Sequence, residues 1–178
     1  MRKQRVSQLT NLIILMLVLS SCKSHKSMMK EMENEIPNAV KFVEEHEESI
    51  AVLLDIQSRL ENRTCVIYRE YYLRIYEYVP NGIDKFICIE SFDESVFIND
   101  NEKIAIQCIF DIVPSSGYFI EITPELIQIM YMETNQGKKV VDLYIYSGAD
   151  DNHIADNSII YETVNDTWTI IVTMWRRN

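Results

Sequence analysis

The chain is predicted to fold as an α+β domain: one N-terminal amphipathic helix packed on a curved antiparallel β-meander of about seven or eight strands. Apolar residues recur at the helical period over roughly 37–61, at Val40, Val43, Ile50, Leu53, Leu54 and Leu60. From Thr64 onward the pattern changes to short runs rich in Tyr, Ile and Val, separated by turn residues. The 178 residues are 47% hydrophobic with only 4 Gly and 4 Pro, which excludes a disordered or collagen-like chain and suits a single core.

Each element has its own signal. Ile36-Pro37 opens the helix, since proline is tolerated in a first turn, and Asn62-Arg63 closes it. Glu44, Glu45, Glu47 and Glu48 lie between its apolar positions and read as a solvated face. Residues 64–79 read as one β-region, with Pro80-Asn81-Gly82 turning into a strand from Ile83 to Glu90. Ile104, Ile106, Cys108, Phe110 and Ile112 alternate with Lys103, Ala105, Gln107, Ile109 and Asp111, which predicts a strand with one core face. Residues 118–122 form another strand. Thr123-Pro124-Glu125 suits a turn or a short cap, and residues 126–132 are read as strand rather than helix. Asn135-Gln136-Gly137 turns into residues 140–146, and a last hairpin joins 159–163 to 168–175. Strands linked this way pair antiparallel in sequence order. The succession of helix and meander is similar to cystatin-like and nuclear-transport-factor-like folds, an analogy of fold that carries no function.

The N-terminus carries the most specific pattern. Arg2, Lys3 and Arg5 precede an apolar run of eight residues, Leu12–Leu19. A spanning helix needs about 20, so the run suits the apolar region of a signal peptide. It ends in Leu19-Ser20-Ser21-Cys22, which resembles the lipobox of bacterial lipoprotein precursors. The resemblance implies cleavage before Cys22 and lipidation of its thiol. Each buried methylene contributes about 0.8 kcal/mol, so two or more acyl chains anchor firmly. It further implies a lipid-anchored protein facing the extracytoplasmic side of the cell envelope. That membrane is the outer face of the cytoplasmic membrane, or the outer membrane where there are two. Residues 1–22 hold three basic and no acidic groups, so their loss takes the net charge from −10 to −13. So acidic a domain is repelled by anionic lipid, and residues 23–35 are read as a flexible tether ahead of a single domain, 36–178. The same charge argues against nucleic acid as a partner.

Three further cysteines, Cys65, Cys88 and Cys108, allow at most one internal disulfide. If residues 64–79 are one straight strand, a loop at 80–82 sets Cys65 nine positions out of register with Cys88, about 30 Å away. All three are expected as thiols. The histidines His25, His46 and His153 show no metal-type spacing. Asp150, Asp151, Asn152 and Asp156 form a weak calcium-type loop that lacks the EF-hand order. His153 and Asp156 lie near each other without a nucleophile motif, and no phosphate-binding or dinucleotide fingerprint occurs. No enzyme and no cofactor is therefore expected.

Tyrosine is the remaining signal. By a period of two, Tyr72, Arg74, Tyr76 and Tyr78 share a face opposite Leu73, Ile75 and Val79. Tyr and Arg are the side chains enriched at binding hot spots. The expectation is an anchored binding or accessory module that uses this face on a protein partner. The alternatives are a small-ligand carrier using the concave side of the sheet, and an inhibitor of a secreted enzyme or toxin.

Overall fold

The structure, a computed structural model, describes residues 25–79, 85–136, 139–148 and 158–176. Among these residues three helices, α1 (His25–Glu45), α2 (Glu47–Arg59) and α3 (Asp100–Ile112), accompany a single sheet. Its strands are β1 (Arg63–Tyr68), β2 (Tyr72–Glu77), β3 (Lys85–Ser91), β4 (Phe119–Ile122), β5 (Ile127–Gln136), β6 (Lys139–Ser147), β7 (Ser158–Thr163) and β8 (Trp168–Arg176). All neighbours are antiparallel, in the order β3-β2-β1-β4-β5-β6-β8-β7. The class is thus α+β with an antiparallel meander. Two departures from sequence order exist: β4 returns to the free side of β1 after α3, and β8 inserts between β6 and β7.

The sheet's registers explain the core. On one face a row runs Glu90, Leu73, Ile67, Ile120, Ile129, Ile145, Ile170, Glu162 across all eight strands. Its six inner members are buried, and the two edge members are carboxylates. Residues of all three helices join this face in one apolar cluster, among them Met28, Met32, Phe42, Ile50, Leu53, Ile106 and Phe110. Each such aliphatic or aromatic side chain contributes about 1.5–3 kcal/mol by leaving water. Met130, Val140 and Ile171 are buried too but lie outside that cluster, on the opposite face.

The helical region differs from the expectation in three ways. Helix α1 runs over His25–Glu45, so Pro37 sits inside it and the described part of the segment read as a tether, residues 25–35, is helical. Met28, Met29, Met32, Ile36, Ala39 and Val43 are buried at three- to four-residue spacing, a stripe in which methionine does the work expected of branched residues. The single helix over 37–61 is instead divided at His46, whose backbone leaves the helical region (φ −123°, ψ 25°). Glu44, Glu45, Glu47 and Glu48 repel one another in a continuous helix. The break places Glu47 and Glu48 in the first turn of α2, where the helix dipole favours them.

The strand expected over 103–112 is helix α3. Ile104, Cys108 and Ile112 are exposed, while Ile106, Ile109, Phe110 and Val113 are buried at helical spacing. A capping box decides the matter: Asn99 Oδ1 accepts from Glu102 N at 3.1 Å and Glu102 Oε2 accepts from Asn99 N at 2.8 Å. The other Glu102 oxygen accepts from Arg59 Nη2, tying α3 to α2.

The stretch 64–79 is two strands, not one. Residues 69–71 make a three-residue hairpin loop closed by the Tyr68–Tyr72 pair, with Tyr71 at φ 62°. The left-handed residue such a loop requires is here a tyrosine, so no Gly or Pro marks it. This overturns the register premise for Cys65 and Cys88. They lie on β1 and β3 with Ile75 of β2 between them, two strands or about 10 Å apart. That is still beyond disulfide reach, and both are free thiols, as is Cys108.

Candidate functional site

The face of the sheet away from the helices is built from the alternate residues of each strand. Tyr72, Arg74 and Tyr76 alternate with buried Leu73 and Ile75 on β2, as their period-two spacing predicts. The fourth residue of that set, Tyr78, lies beyond the end of β2, where its backbone N–H donates to Asn62 O at 2.7 Å. A row on this face crosses every strand: Ile89, Arg74, Val66, Glu121, Gln128, Tyr146, Thr169 and Thr163. Beside it runs Ser91, Tyr72, Tyr68 and Phe119.

At the β1–β2–β3 end these rows form an aromatic–cation array. The Tyr68 and Tyr72 rings stack at 4.6 Å with 12° between planes. The Arg74 guanidinium lies 5.1 Å from the Tyr68 ring and 5.8 Å from that of Tyr72. Such contacts hold a cation by the ring quadrupole. A hydrogen bond with Tyr76, then the Tyr68 ring, raises the Arg74 pKa above its ordinary value, so the group is a permanent charge. Tyr76 meets Phe86 edge-on at 5.6 Å, extending the array to the edge strand. Burial shifts the Tyr68 hydroxyl upward despite Arg74, keeping it a neutral donor. Val66, Tyr68, Tyr118, Phe119 and Glu121 line a shallow depression of about 260 Å³.

At the β5–β6–β8 end the face closes over a carboxylate. Asp142 is fully buried; its Oδ2 accepts from Tyr144 Oη at 3.1 Å and from the Trp175 indole N–H. Burial first, and Asp142 second, push the Tyr144 pKa far above the usual tyrosine range; burial does the same to Tyr146, with Glu121 next. Both rings therefore present neutral hydroxyls at any physiological pH.

Sequence reasoning placed three residues of this face and missed most of the others, including Tyr68, Phe86, Phe119, Tyr144 and Tyr146. Tyr144 and Tyr146 alternate with Leu143 and Ile145 just as the β2 residues do, so the signal was present. What it lacked was the strand order that brings β6 and β2 onto one surface. Cys22, the loop residues Asp150, Asp151, Asn152 and Asp156, and His153 lie outside the described residues. Among the described residues no group of three or more His, Cys, Asp or Glu side chains is placed to hold a metal ion, and no helix is long and apolar enough to cross a membrane. No known family model, curated protein or solved structure matches the chain.

Proposed function

We propose that the chain is a lipid-anchored extracytoplasmic module that binds a protein partner through the open sheet face, with Tyr72, Arg74 and Tyr76 at the centre of the contact. The observation carrying this reading is the stacked Tyr68–Tyr72 pair with Arg74 against it, on a face that no described helix covers. Rigid aromatic rings bind at low conformational cost, and a guanidinium held against them supplies direction. The lipobox-like Leu19-Ser20-Ser21-Cys22 supports the anchor. The adjoining depression of about 260 Å³, lined by Val66, Tyr68, Tyr118, Phe119 and Glu121, offers this face a place for a partner's side chain.

The test is in-cell cross-linking of the full-length protein, with mass spectrometry of the captured species. One dominant protein is expected, and it is expected to vanish in the Tyr72→Ala/Tyr76→Ala variant while the melting temperature stays within a few degrees. Undiminished capture by that folded variant excludes this face. Radiolabelled-palmitate incorporation, lost in Cys22→Ala, checks the anchor separately.

A further inference from the structure

We infer that two copies of this chain associate through the outer edge of β3, pairing antiparallel about a two-fold axis so that Lys85 of each copy lies opposite Glu90 of the other. This goes beyond the partner-binding reading and does not depend on it. β3 pairs with β2 on one side, and no strand of the described residues lies on its other side. An edge strand offers a row of unpaired N–H and C=O groups, which proteins ordinarily blunt with charge, proline or a cover. β3 carries the charges of Lys85 and Glu90 and a bulge at Ile87, which serve the same end, yet its edge still exposes Phe86, Ile87 and Ile89, at 49%, 50% and 59% of their full surface, within four consecutive residues.

The register follows from a bulge. Ile75 pairs with Cys88 and Tyr76 with Phe86, so Ile87 is an extra residue. The bulge reverses the alternation at the centre of the strand. Lys85, Cys88 and Glu90 share the helix-side face through their partners Glu77, Ile75 and Leu73, whereas Phe86, Ile89 and Ser91 share the open face through Tyr76, Arg74 and Tyr72. A two-fold axis perpendicular to the sheet keeps each residue on its own face, and directly opposed residues share a face. Setting Lys85 opposite Glu90 also sets Phe86 opposite Ile89, and both pairings satisfy that condition. Moving the register by one residue in either direction opposes residues of different faces. The favoured register is also the complementary one, with two Lys–Glu pairs, two Phe–Ile pairs and, at the bulge, Ile87 of each copy opposite Cys88 of the other. Glu90 gives this pairing a second motive: its Oε2 is buried and has no hydrogen-bond partner within the chain. Pairing would join the two aromatic faces into one surface, with Phe86 and Ile89 at the seam.

Sedimentation velocity of the detergent-solubilised full-length chain across a concentration series tests this. A monomer–dimer equilibrium is expected. Lys85→Glu or Glu90→Lys alone is expected to weaken it about tenfold, because each creates two like-charge pairs per dimer. The double variant Lys85→Glu/Glu90→Lys is expected to restore the wild-type constant. Within one chain these positions are five residues apart, about 16 Å, so rescue reports pairing between copies. Thermal melts confirm folding. If Glu90→Lys does not fold, Lys85→Glu and the exposed Ile89→Lys carry the decision. A thiol cross-linker of about 5 Å span is expected to join Cys88 to Cys88 of the other copy in a Cys108→Ser background. A monomer at every concentration overturns the inference. So does a dimer indifferent to Lys85→Glu and Ile89→Lys, or a folded double variant without rescue. Binding of an unrelated extended peptide along β3 by a chain that stays monomeric overturns it too.

Discussion

Arg69 fastens the β1–β2 hairpin to the rest of the domain, and its replacement by methionine has a magnitude that the structure sets. The side chain leaves the β1–β2 loop and donates from Nε to Gly117 O at 2.8 Å, and from Nη2 to Val113 O at 2.8 Å and Pro114 O at 2.9 Å. Its backbone N–H donates to Tyr118 O at 3.0 Å, and its guanidinium lies 5.6 Å from the Phe110 ring. The cation therefore stands at the C-terminal end of α3, where carbonyls lack helical partners and the dipole is negative. Methionine keeps the aliphatic packing and removes every side-chain donor. A hydrogen bond from a charged donor contributes about 1.5–3 kcal/mol. Two of the three share one nitrogen, so the loss is about 3 kcal/mol rather than their sum. With a urea slope of about 2 kcal/mol/M, the unfolding midpoint falls by about 1.5 M. Lysine restores the charge but not the fork geometry and recovers about 1 kcal/mol. The near-UV circular dichroism of the Tyr68–Tyr72 stack, one residue away, is expected to weaken in parallel. A midpoint for Arg69→Met within about 0.3 M of wild type would falsify the claim that this side chain fastens the hairpin to the α3–β4 connection.

Two further perturbations follow from the packing. At Gly117 a Cβ would stand 2.4 Å from Met130 O and 2.5 Å from Tyr131 O, at the β5 bulge, so Gly117→Ala is expected to cost about 3 kcal/mol or more; a melting temperature unchanged to within about 2 °C refutes that close approach. Burial, then Glu90 and Cys88, push the Cys65 thiol from 9.0 to about 12. A raised folded-state pKa means the stabilisation is complete below about pH 9 and is lost as the pH climbs toward 12, at most about 4 kcal/mol for that shift. Cys65→Ala should flatten the decline between pH 9 and 10, above which Tyr144 and Tyr146 contribute a fall of the same sign. Parallel wild-type and Cys65→Ala curves over that interval contradict the assignment.

The strand count of about seven or eight agrees with the observed eight through two compensating differences. The predicted strand at 103–112 is a helix, and the predicted strand region at 64–79 is two strands. The first was legible in Asn99-Asp100-Asn101-Glu102, a capping-box sequence that outweighs an ambiguous apolar alternation. The second was not legible, because Arg69-Glu70-Tyr71 lacks turn chemistry. Tyr71 adopts a positive φ only within the packed loop, where its ring lies 5.7 Å from that of Phe92.

By itself the sequence determined the class of the domain, the alternation that puts Tyr72, Arg74 and Tyr76 on one face, and the lipobox-like N-terminus. These depend on local chemistry: side-chain period, charge and motif spacing. The tertiary structure alone decided that β4 lies beside β1 and β8 beside β6. It also decided that Tyr68, Phe119, Tyr144 and Tyr146 join the β2 residues on one surface, and that β3 is left at the edge. Those outcomes come from pairings between residues tens of positions apart. Their free energy resides in burying the Leu73-to-Ile170 row beneath the helices, a sum over the whole sheet that no single segment encodes.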